Sequence, residues 1–263
     1  MIDLHMHILP NIDDGAADIR IALDMLKMAA DEGTKTVVAT PHILSGESCT
    51  KWEKIVEDCH NMASLAVERD LNIRLCPGAE VFLDYDLLDI LVQPGPYCLN
   101  GGKYILIELP AHQIPAYTDE FFFTLQTRGF WPILAHPERN AQLVSQPDRL
   151  EDWINKGILV QINGGSLLGQ MGKRAMHFAE RLVASSMVHT LGSDAHNLSR
   201  RGPGLRKAAK KLAALSGVSA AEEITVNLPR RILESQSIDT GDTRYLHNKK
   251  GTSAFLQRLW KNW

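Results

Sequence analysis

The feature that most constrains the fold is a regular alternation of short apolar runs with longer amphipathic segments along this chain of 263 residues. The apolar runs are short and almost continuous, which is typical of parallel strands covered on both faces. We predict strands at 2–5, 36–40, 73–77, 104–109, 132–135, 158–162 and 188–191. The helical period predicts helices at 17–32, 51–70, 118–128, 148–156, 172–186 and 205–215.

This alternation repeats about seven times without a long linker, so it predicts one parallel α/β domain, either a doubly wound sheet or a (β/α) barrel. We assign residues 1–235 to that domain. The pattern stops near residue 236, and 236–263 form a basic and aromatic tail. We expect the tail to pack on the barrel or at a subunit interface, with docking on an anionic membrane surface as the alternative.

Composition excludes several classes of protein. The chain has 28 Lys and Arg against 31 Asp and Glu, a net charge of −3, so it lacks the basic field of a typical nucleic-acid binder. The four cysteines form no Cys-x-x-Cys pair and are expected to be reduced thiols. No apolar run approaches the roughly 18 residues of a membrane span. With no signal-peptide pattern at the N-terminus, we expect a cytoplasmic protein.

Metal-ligand residue types follow almost every predicted strand. In an extended segment residues two apart point the same way, so His5 and His7 can reach one ion. The carboxyl ends of parallel strands form the floor of an active site, so we expect these residues to converge. The candidates are His5, His7, Asp14, His42, Glu80, Glu108, His136, Asp194 and His196.

Nitrogen and oxygen ligands in this number suit two or three ions rather than one. Imidazole mixed with carboxylate, without thiolate, favours Mn²⁺, Fe or Zn²⁺ over Ca²⁺ or Mg²⁺ alone. Among the other histidines, His112 follows the fourth strand and is left open as a pocket residue. His60 and His177 lie on predicted helices and are interpreted as ordinary side chains, and His189 as packing.

The motifs that contain these residues resemble a known family. They are DLHMHILPNIDDG at 3–15, TPH at 40–42, HPER at 136–139, QINGGSLLG at 161–169 and GSDAHN at 192–197. Together they resemble the polymerase and histidinol phosphatase (PHP) superfamily. More narrowly, they resemble its bacterial tyrosine-phosphatase branch, the CpsB/CapC/YwqE type of capsule and exopolysaccharide loci.

The resemblance implies a distorted (β/α)7 TIM-like barrel, the PHP fold, with three divalent ions, Mn²⁺ first and Fe or Zn²⁺ as alternatives. It implies that Arg139 and Arg201 are catalytic residues at the substrate phosphate, although the adjacent Arg200 could replace Arg201. The implied ligand sets are His5, His7, Glu80 and Asp194 for one ion, Glu80, Glu108 and His136 for the second, and Asp14, His42 and His196 for the third.

The activity so implied is hydrolysis of phosphotyrosine in proteins, with a cognate bacterial tyrosine kinase that controls capsular or exopolysaccharide synthesis as the substrate. Three alternatives stay open: a PHP phosphatase for a small phosphoester such as histidinol phosphate, a PHP nuclease, and a non-catalytic scaffold of polysaccharide assembly. The acidic charge balance disfavours the nuclease. We expect no nucleic-acid partner, at most peripheral membrane contact, and formation of a homo-oligomer as an open possibility.

Overall fold

The structure is a computed structural model that describes residues 1–46 and 49–240. Strands β1 to β9 are Ile2–Met6, Thr36–Ala39, His42–Ile43, Arg74–Pro77, Glu80–Phe82, Tyr104–Glu108, Trp131–Ala135, Leu159–Asn163 and Thr190–Gly192. Helices α1 to α10 are Ile19–Asp31, Trp52–Glu68, Thr118–Thr127, Ala141–Ser145, Asp148–Asn155, Gly164–Leu167, Lys173–Ala184, Arg206–Ser216, Val218–Glu222 and Leu228–Leu233. Short 3-10 turns lie at Tyr85–Asp89, Leu99–Gly101 and Pro137–Arg139, and a π turn at Glu223–Asn227.

All of the strand pairs within the described residues are parallel, in the orders β1-β2-β4 and β3-β5-β6-β7-β8-β9. β2 and β3 are one strand interrupted at Pro41, which has no N–H to donate to a ladder. β4 and β5 are likewise interrupted at Gly78 and Ala79. Glu80 N–H donates to the carbonyl of Pro41 at 3.0 Å, which keeps the two interrupted strands in register.

The segment after β9 returns to β1. His7 N–H donates to the carbonyl of Ala195, and Asp194 N–H donates to the carbonyl of His5, both at 2.9 Å. With the two interrupted strands each counted once, the nine strands of residues 1–46 and 49–240 occupy seven positions around the barrel. The predicted parallel α/β barrel is therefore confirmed, and its distortion lies at the two interruptions.

Helices cover the outside of the barrel with their apolar faces. α1 begins at Asp18, whose carboxylate accepts the N–H of Ile21 at 2.8 Å and so satisfies a free donor of the first turn. Its buried face includes Leu23 and Leu26. The cores of the six predicted helices are confirmed, with ends that differ by a few residues. The short helices α4, α6, α9 and α10 were not predicted, because so few turns leave no clear period.

A second group of buried side chains, the inner cluster, joins six strands to α10. Ile232 and Leu233 of α10 and Leu99 pack against it. Its strand members are Ile2, Leu4, Val38, Cys76, Tyr104, Leu106, Ile133, Ala135 and Leu159. Because they come from six of the seven strand positions, they fill much of the barrel interior.

The first residues of the predicted tail lie on the barrel. Tyr104 Oη donates to the carbonyl of Gln236 at 2.8 Å, and Thr240 Oγ1 donates to the carbonyl of Ile154 at 2.9 Å. Positions 241–263, the larger part of the basic and aromatic tail, lie outside the described residues. In the part of the chain that is described, no helix has the length and apolar character to cross a bilayer.

Candidate active site

The nine candidate ligands predicted from the sequence lie together at the carboxyl ends of the strands. His5 belongs to β1, His42 begins β3, Glu80 begins β5 and Glu108 ends β6. His7, Asp14, His136, Asp194 and His196 stand in the loops that follow β1, β7 and β9. Their ring nitrogens and carboxylate oxygens form overlapping groups with spacings that suit metal ions.

The most buried group contains His5, His7, Glu80 and Asp194, each at most 1% exposed. The Nε2 atoms of His5 and His7 are 3.1 Å apart. They lie 3.1 and 3.2 Å from Oε2 of Glu80, and both lie 3.5 Å from Oδ1 of Asp194. Two imidazoles and two carboxylates thus point at one small volume.

Hydrogen bonds behind the two imidazoles set their tautomers. His5 Nδ1 lies 2.8 Å from Oε1 of Gln161, and His7 Nδ1 lies 2.7 Å from Oδ2 of Asp13. Since these oxygens only accept, each Nδ1 carries a proton, so Nε2 of each ring is the nitrogen that is left to bind a metal ion when the ring is neutral. The two Nε2 atoms face each other and Glu80 Oε2, which is buried and accepts no hydrogen bond from the described residues. Burial alone would lower the pKa of His7, but the carboxylates of Asp13 and Glu80 raise it to about 10, so this group of ligands attracts a cation. Two imidazoles and two carboxylates at these spacings fit a divalent metal, which would replace the proton.

Glu80 extends the cluster to two further histidines. His136 Nε2 lies 2.8 Å from Oε1 of Glu80, and His42 Nδ1 lies 3.2 Å from Oε2. Glu108 faces the same pair, at 3.7 Å from His136 and 3.6 Å from His42. The single carboxylate of Glu80 therefore lies within ion-pair distance of four histidines, as a bridging ligand would. They are His5, His7, His42 and His136.

Asp14 and His196 complete the cluster on its solvent side. Oδ1 of Asp14 lies 3.2 Å from Nε2 of His196 and 3.6 Å from Nε2 of His42. The His7 and His196 rings are 3.8 Å apart between centroids. Nε2 of His196 is buried and has no hydrogen-bond partner in the described part of the chain, so it too is available to an ion.

The two predicted arginines meet at Asp194. Nη1 of Arg139 donates to Oδ2 at 2.6 Å, and Nη2 of Arg201 donates to Oδ1 at 2.7 Å. Nε of Arg201 is buried, and none of the described residues accepts its hydrogen. Arg200, the sequence alternative, has an exposed side chain. Of the neighbouring arginines, Arg201 is thus the one in contact with the cluster.

The density of charge shifts the pKa values of the cluster in opposite directions. Burial raises the pKa of Glu80, but His5 and His136 outweigh it and hold that pKa well below its usual range. Burial and the neighbouring Glu80 raise the pKa of Glu108 to about 8. Burial, and then the charge of His7, lower the pKa of His196 to about 4. A cation among these groups would favour the ionised carboxylate of Glu108 and the neutral ring of His196, which are the forms that bind a metal.

The backbone at two of these residues is unusual. His136 has φ 29° and ψ 56°, and Asp194 has φ 52°, in the left-handed region that side chains other than glycine rarely adopt. Two glycines permit close approach instead. A Cβ on Gly15 would lie 2.3 Å from the carbonyl oxygen of His7, and one on Gly192 would lie 2.7 Å from Nε2 of Gln161. The strained backbone at His136 and Asp194 and the close contacts at Gly15 and Gly192 thus direct the ligand side chains into the cluster.

Residues that hold the ligands were missed from the sequence. Asp13 accepts from His7 and from the N–H of His42 at 3.0 Å. Asp3, buried in β1, accepts the N–H groups of His5 at 3.2 Å and Ser193 at 3.0 Å. Burial raises the pKa of Asp3 to about 6. A carboxylate inside an apolar strand was the available signal for Asp3.

A second group of supporting residues comes from β8 and the turn after β7. Asn163 Nδ2 donates to Oδ2 of Asp194 at 2.7 Å, and Gln161 Nε2 donates to Oδ1 of Asn163 at 2.9 Å. Glu138, also buried, accepts the N–H of Asn163 at 2.9 Å. Two polar residues within an otherwise apolar strand, Gln161 and Asn163, were the available signal for this group. The group links His5, Asp194 and the turn that carries Arg139.

Buried histidines and carboxylates at the carboxyl ends of a parallel barrel, with arginines beside them, define a metalloenzyme of the α/β-barrel class. The family described as "Capsular polysaccharide synthesis, CpsB/CapC" matches residues 1–234. The chain belongs to this CpsB/CapC family, which confirms the resemblance seen in its motifs.

Individual relatives support the assignment to this family. Tyrosine-protein phosphatase YwqE of Bacillus subtilis (strain 168) is 36% identical over 201 residues, covering 76% of this chain and 79% of the relative. Tyrosine-protein phosphatase CpsB of Streptococcus pneumoniae is 31% identical over 247 residues, covering 90% of this chain and 100% of the relative. A crystal structure from work on YwqE and CpsB, described as "unique metal-dependent tyrosine phosphatases", matches with a TM-score of 0.81 at 33% identity. That match covers 90% of this chain and 96% of the other.

Proposed function

We propose that this chain is a metal-dependent protein-tyrosine phosphatase that dephosphorylates a bacterial tyrosine kinase controlling capsular or exopolysaccharide synthesis. The observation that carries the proposal is the convergence of Nε2 of His5, Nε2 of His7 and Oε2 of Glu80 within about 3 Å of one another. The names of the relatives supply the substrate class, and the family description supplies the link to capsule synthesis.

In this proposal three divalent ions, Mn²⁺ first and Fe or Zn²⁺ as alternatives, occupy the cluster. A metal ion in such a site neutralises phosphate charge and lowers the pKa of bound water toward neutrality. The sets are His5, His7, Glu80 and Asp194 for one ion, Glu80, Glu108 and His136 for the second, and Asp14, His42 and His196 for the third. His42 also lies close enough to Glu80 and Glu108 to join the second set.

Arg139 and Arg201 are the proposed phosphate-binding residues. Each guanidinium uses one nitrogen on Asp194 and keeps other N–H donors for non-bridging oxygens. The shared carboxylate holds both planes beside the metal ligands, so phosphate is bound where the ions are. A tyrosyl leaving group has an ordinary pKa near 10, so it departs with little help from a general acid.

The test compares substrates on one preparation. Protein stripped with chelator and reloaded with Mn²⁺ is offered a phosphotyrosine peptide, histidinol phosphate and single-stranded DNA, and product release is measured. We expect phosphate from the peptide, lost in His136→Ala and retained in His60→Ala, a matched change at an exposed helix position. Preferred turnover of histidinol phosphate or DNA would contradict the proposal, and metal binding with no turnover would indicate a scaffold.

Cellular context adds three predictions of the same proposal. We expect a tyrosine kinase as the substrate, a cytoplasmic location and assembly into a homo-oligomer. Co-purification with a tyrosine-phosphorylated kinase, which should increase with the inactive His136→Ala variant, tests the first of them. Light scattering of the purified protein tests the oligomer.

A further inference from the structure

A cavity of about 420 Å³ opens directly beside the cluster. Glu108, His136 and Arg139 form the wall it shares with the candidate active site. The space exceeds what a phosphate group needs and lies within the range of small-ligand pockets. It therefore has room for the part of a substrate that is attached to the phosphate.

The far side of the cavity is built from three elements that are tied together. Asn140 Nδ2 donates to the carbonyls of Pro110 at 2.7 Å and Gln113 at 3.1 Å, which fixes the loop after β6 against α4. Arg174 Nη2, from the first turn of α7, donates to the carbonyl of Ala141 at 2.9 Å. These bonds hold the walls in a defined shape, so the cavity is pre-formed.

The lining divides into an apolar floor and a basic rim. Leu109, Val144 and Met171 supply apolar surface that suits an aromatic ring. His112 and Arg174 lie at the exposed rim. The carboxylates of the lining are engaged elsewhere, because Glu108 faces the histidines and Glu138 is buried against Asn163.

The position of Arg174 is costly for the helix that carries it. α7 begins with Lys173 and Arg174 and has no acidic residue in its first turn, although the helix dipole favours negative charge there. No carboxylate of the described residues forms an ion pair with Arg174, so its positive charge lies free at the rim of a cavity that already contains Arg139. This charge complements an anionic group on whatever enters.

We propose that this cavity is the peptide subsite of the enzyme: its apolar floor receives the tyrosyl ring, and Arg174 selects an Asp or Glu next to the phosphotyrosine. The assignment rests on the proposed phosphatase function and names the peptide class on which it acts. Arg174 is in this account a specificity residue that contacts the substrate outside the reacting atoms.

Binding of labelled peptides tests the subsite apart from catalysis. Each probe is a fluorescent peptide that contains a non-hydrolysable phosphonate analogue of phosphotyrosine. Glu and Gln are compared at each of the two positions before and the two positions after this residue. Binding is measured by fluorescence anisotropy with Mn²⁺ present. We expect a Glu peptide to bind about fivefold more tightly than its Gln twin, as for a partly exposed ion pair. Arg174→Gln should remove that preference, whereas Arg174→Lys should keep part of it.

Lys173→Gln is the matched control, since Lys173 is exposed in the same helical turn and does not line the cavity. Equal binding of the Glu and Gln peptides by the unchanged protein overturns the subsite. So does a preference that survives Arg174→Gln, or one that Lys173→Gln removes equally. Hydrolysis of the matching phosphotyrosine peptides is followed in parallel. Turnover without a Glu preference rejects only the subsite, and a preference without turnover rejects the phosphatase function while keeping the peptide subsite.

Discussion

The two ends of the barrel interior have opposite chemistry. At the carboxyl ends, buried atoms such as His42 Nδ1 and Glu80 Oε2 accept or donate no hydrogen bond within the described residues, and the backbone of His136 is strained. In the inner cluster, side chains such as Leu4 and Leu106 are apolar and at most 1% exposed. The carboxyl ends of the strands thus hold closely spaced charged groups and a strained backbone at the candidate active site, and the packing of the inner cluster stabilises the barrel that carries them.

We expect the largest loss of activity from a substitution at the polar end of the barrel interior, at the carboxyl ends of the strands. Asp194→Asn removes a charge that faces three histidines and two arginines, so Mn²⁺-dependent phosphatase activity should fall roughly a thousandfold or more. Circular dichroism should retain the folded spectrum, because the inner cluster is untouched. Unfolding of the variant at room temperature would show that this carboxylate is needed for the fold itself.

A substitution in the inner cluster should instead lower stability and leave the site intact. Leu106→Ala leaves a cavity in the inner cluster, and we expect the free energy of unfolding to drop by about 2–5 kcal/mol in urea titrations. Activity per folded molecule should stay near that of the unchanged protein. Phe123→Ala is the control, since its ring is 67% exposed and its loss should change stability little. A large activity loss in folded Leu106→Ala would mean that the two ends are coupled.

A smaller effect is expected from the residue that orients a ligand. Asp13→Asn withdraws the carboxylate that holds the proton on Nδ1 of His7, so Mn²⁺ affinity should weaken about 10- to 100-fold. Isothermal titration of the chelated protein measures it. Asp31→Asn, at a 65% exposed carboxylate, should leave affinity unchanged. Unchanged affinity in Asp13→Asn would show that the His7 ring is oriented by other contacts.

The arginine pair gives a comparison within the site. Arg201→Gln should lower kcat/KM for a phosphotyrosine peptide about tenfold or more, the value of a charge-assisted hydrogen bond. Arg200→Gln should change it little, since that side chain is exposed. The reverse order of effects would assign phosphate binding to Arg200.

The smallest effect concerns the thiols outside the site. Burial raises the pKa values of Cys59 and Cys98 from 9.0 to about 12. Below pH 9 both states are protonated, but as pH rises toward 12 only the unfolded thiols ionise, so these groups make stability fall over that window. Cys59→Ala combined with Cys98→Ala should flatten that part of the profile in urea titrations. An identical slope in both proteins would show that the two thiols are not buried as described.

Much of the fold could be predicted because its signals are local. Each strand of the barrel has its own apolar run, and ligands at strand ends must converge once the strands are parallel. The interruptions of β2 and β4 were harder, because Pro41 and Gly78 end a strand without showing that it resumes. α9, the π turn and α10 lack a clear period and depend on the inner cluster that Ile232 and Leu233 cover.

The supporting residues of the site could not be assigned in the same way. Gln161 and Asn163 lie in β8, and only the tertiary structure shows that they reach His5 and Asp194. The adjacent Asp13 and Asp14 are chemically identical in the sequence. The structure separates them, since Asp13 holds the imidazole of His7 from behind while Asp14 faces His196.

We expect the converging imidazoles and carboxylates at the carboxyl ends of the strands to hold divalent ions. The most direct measurement is anomalous diffraction from crystals grown with Mn²⁺, collected near the manganese absorption edge. We expect strong peaks between His5, His7, Glu80 and Asp194, and further peaks toward His136 and toward Asp14. An absence of anomalous density within this cluster, or peaks only at surface carboxylates, would contradict it.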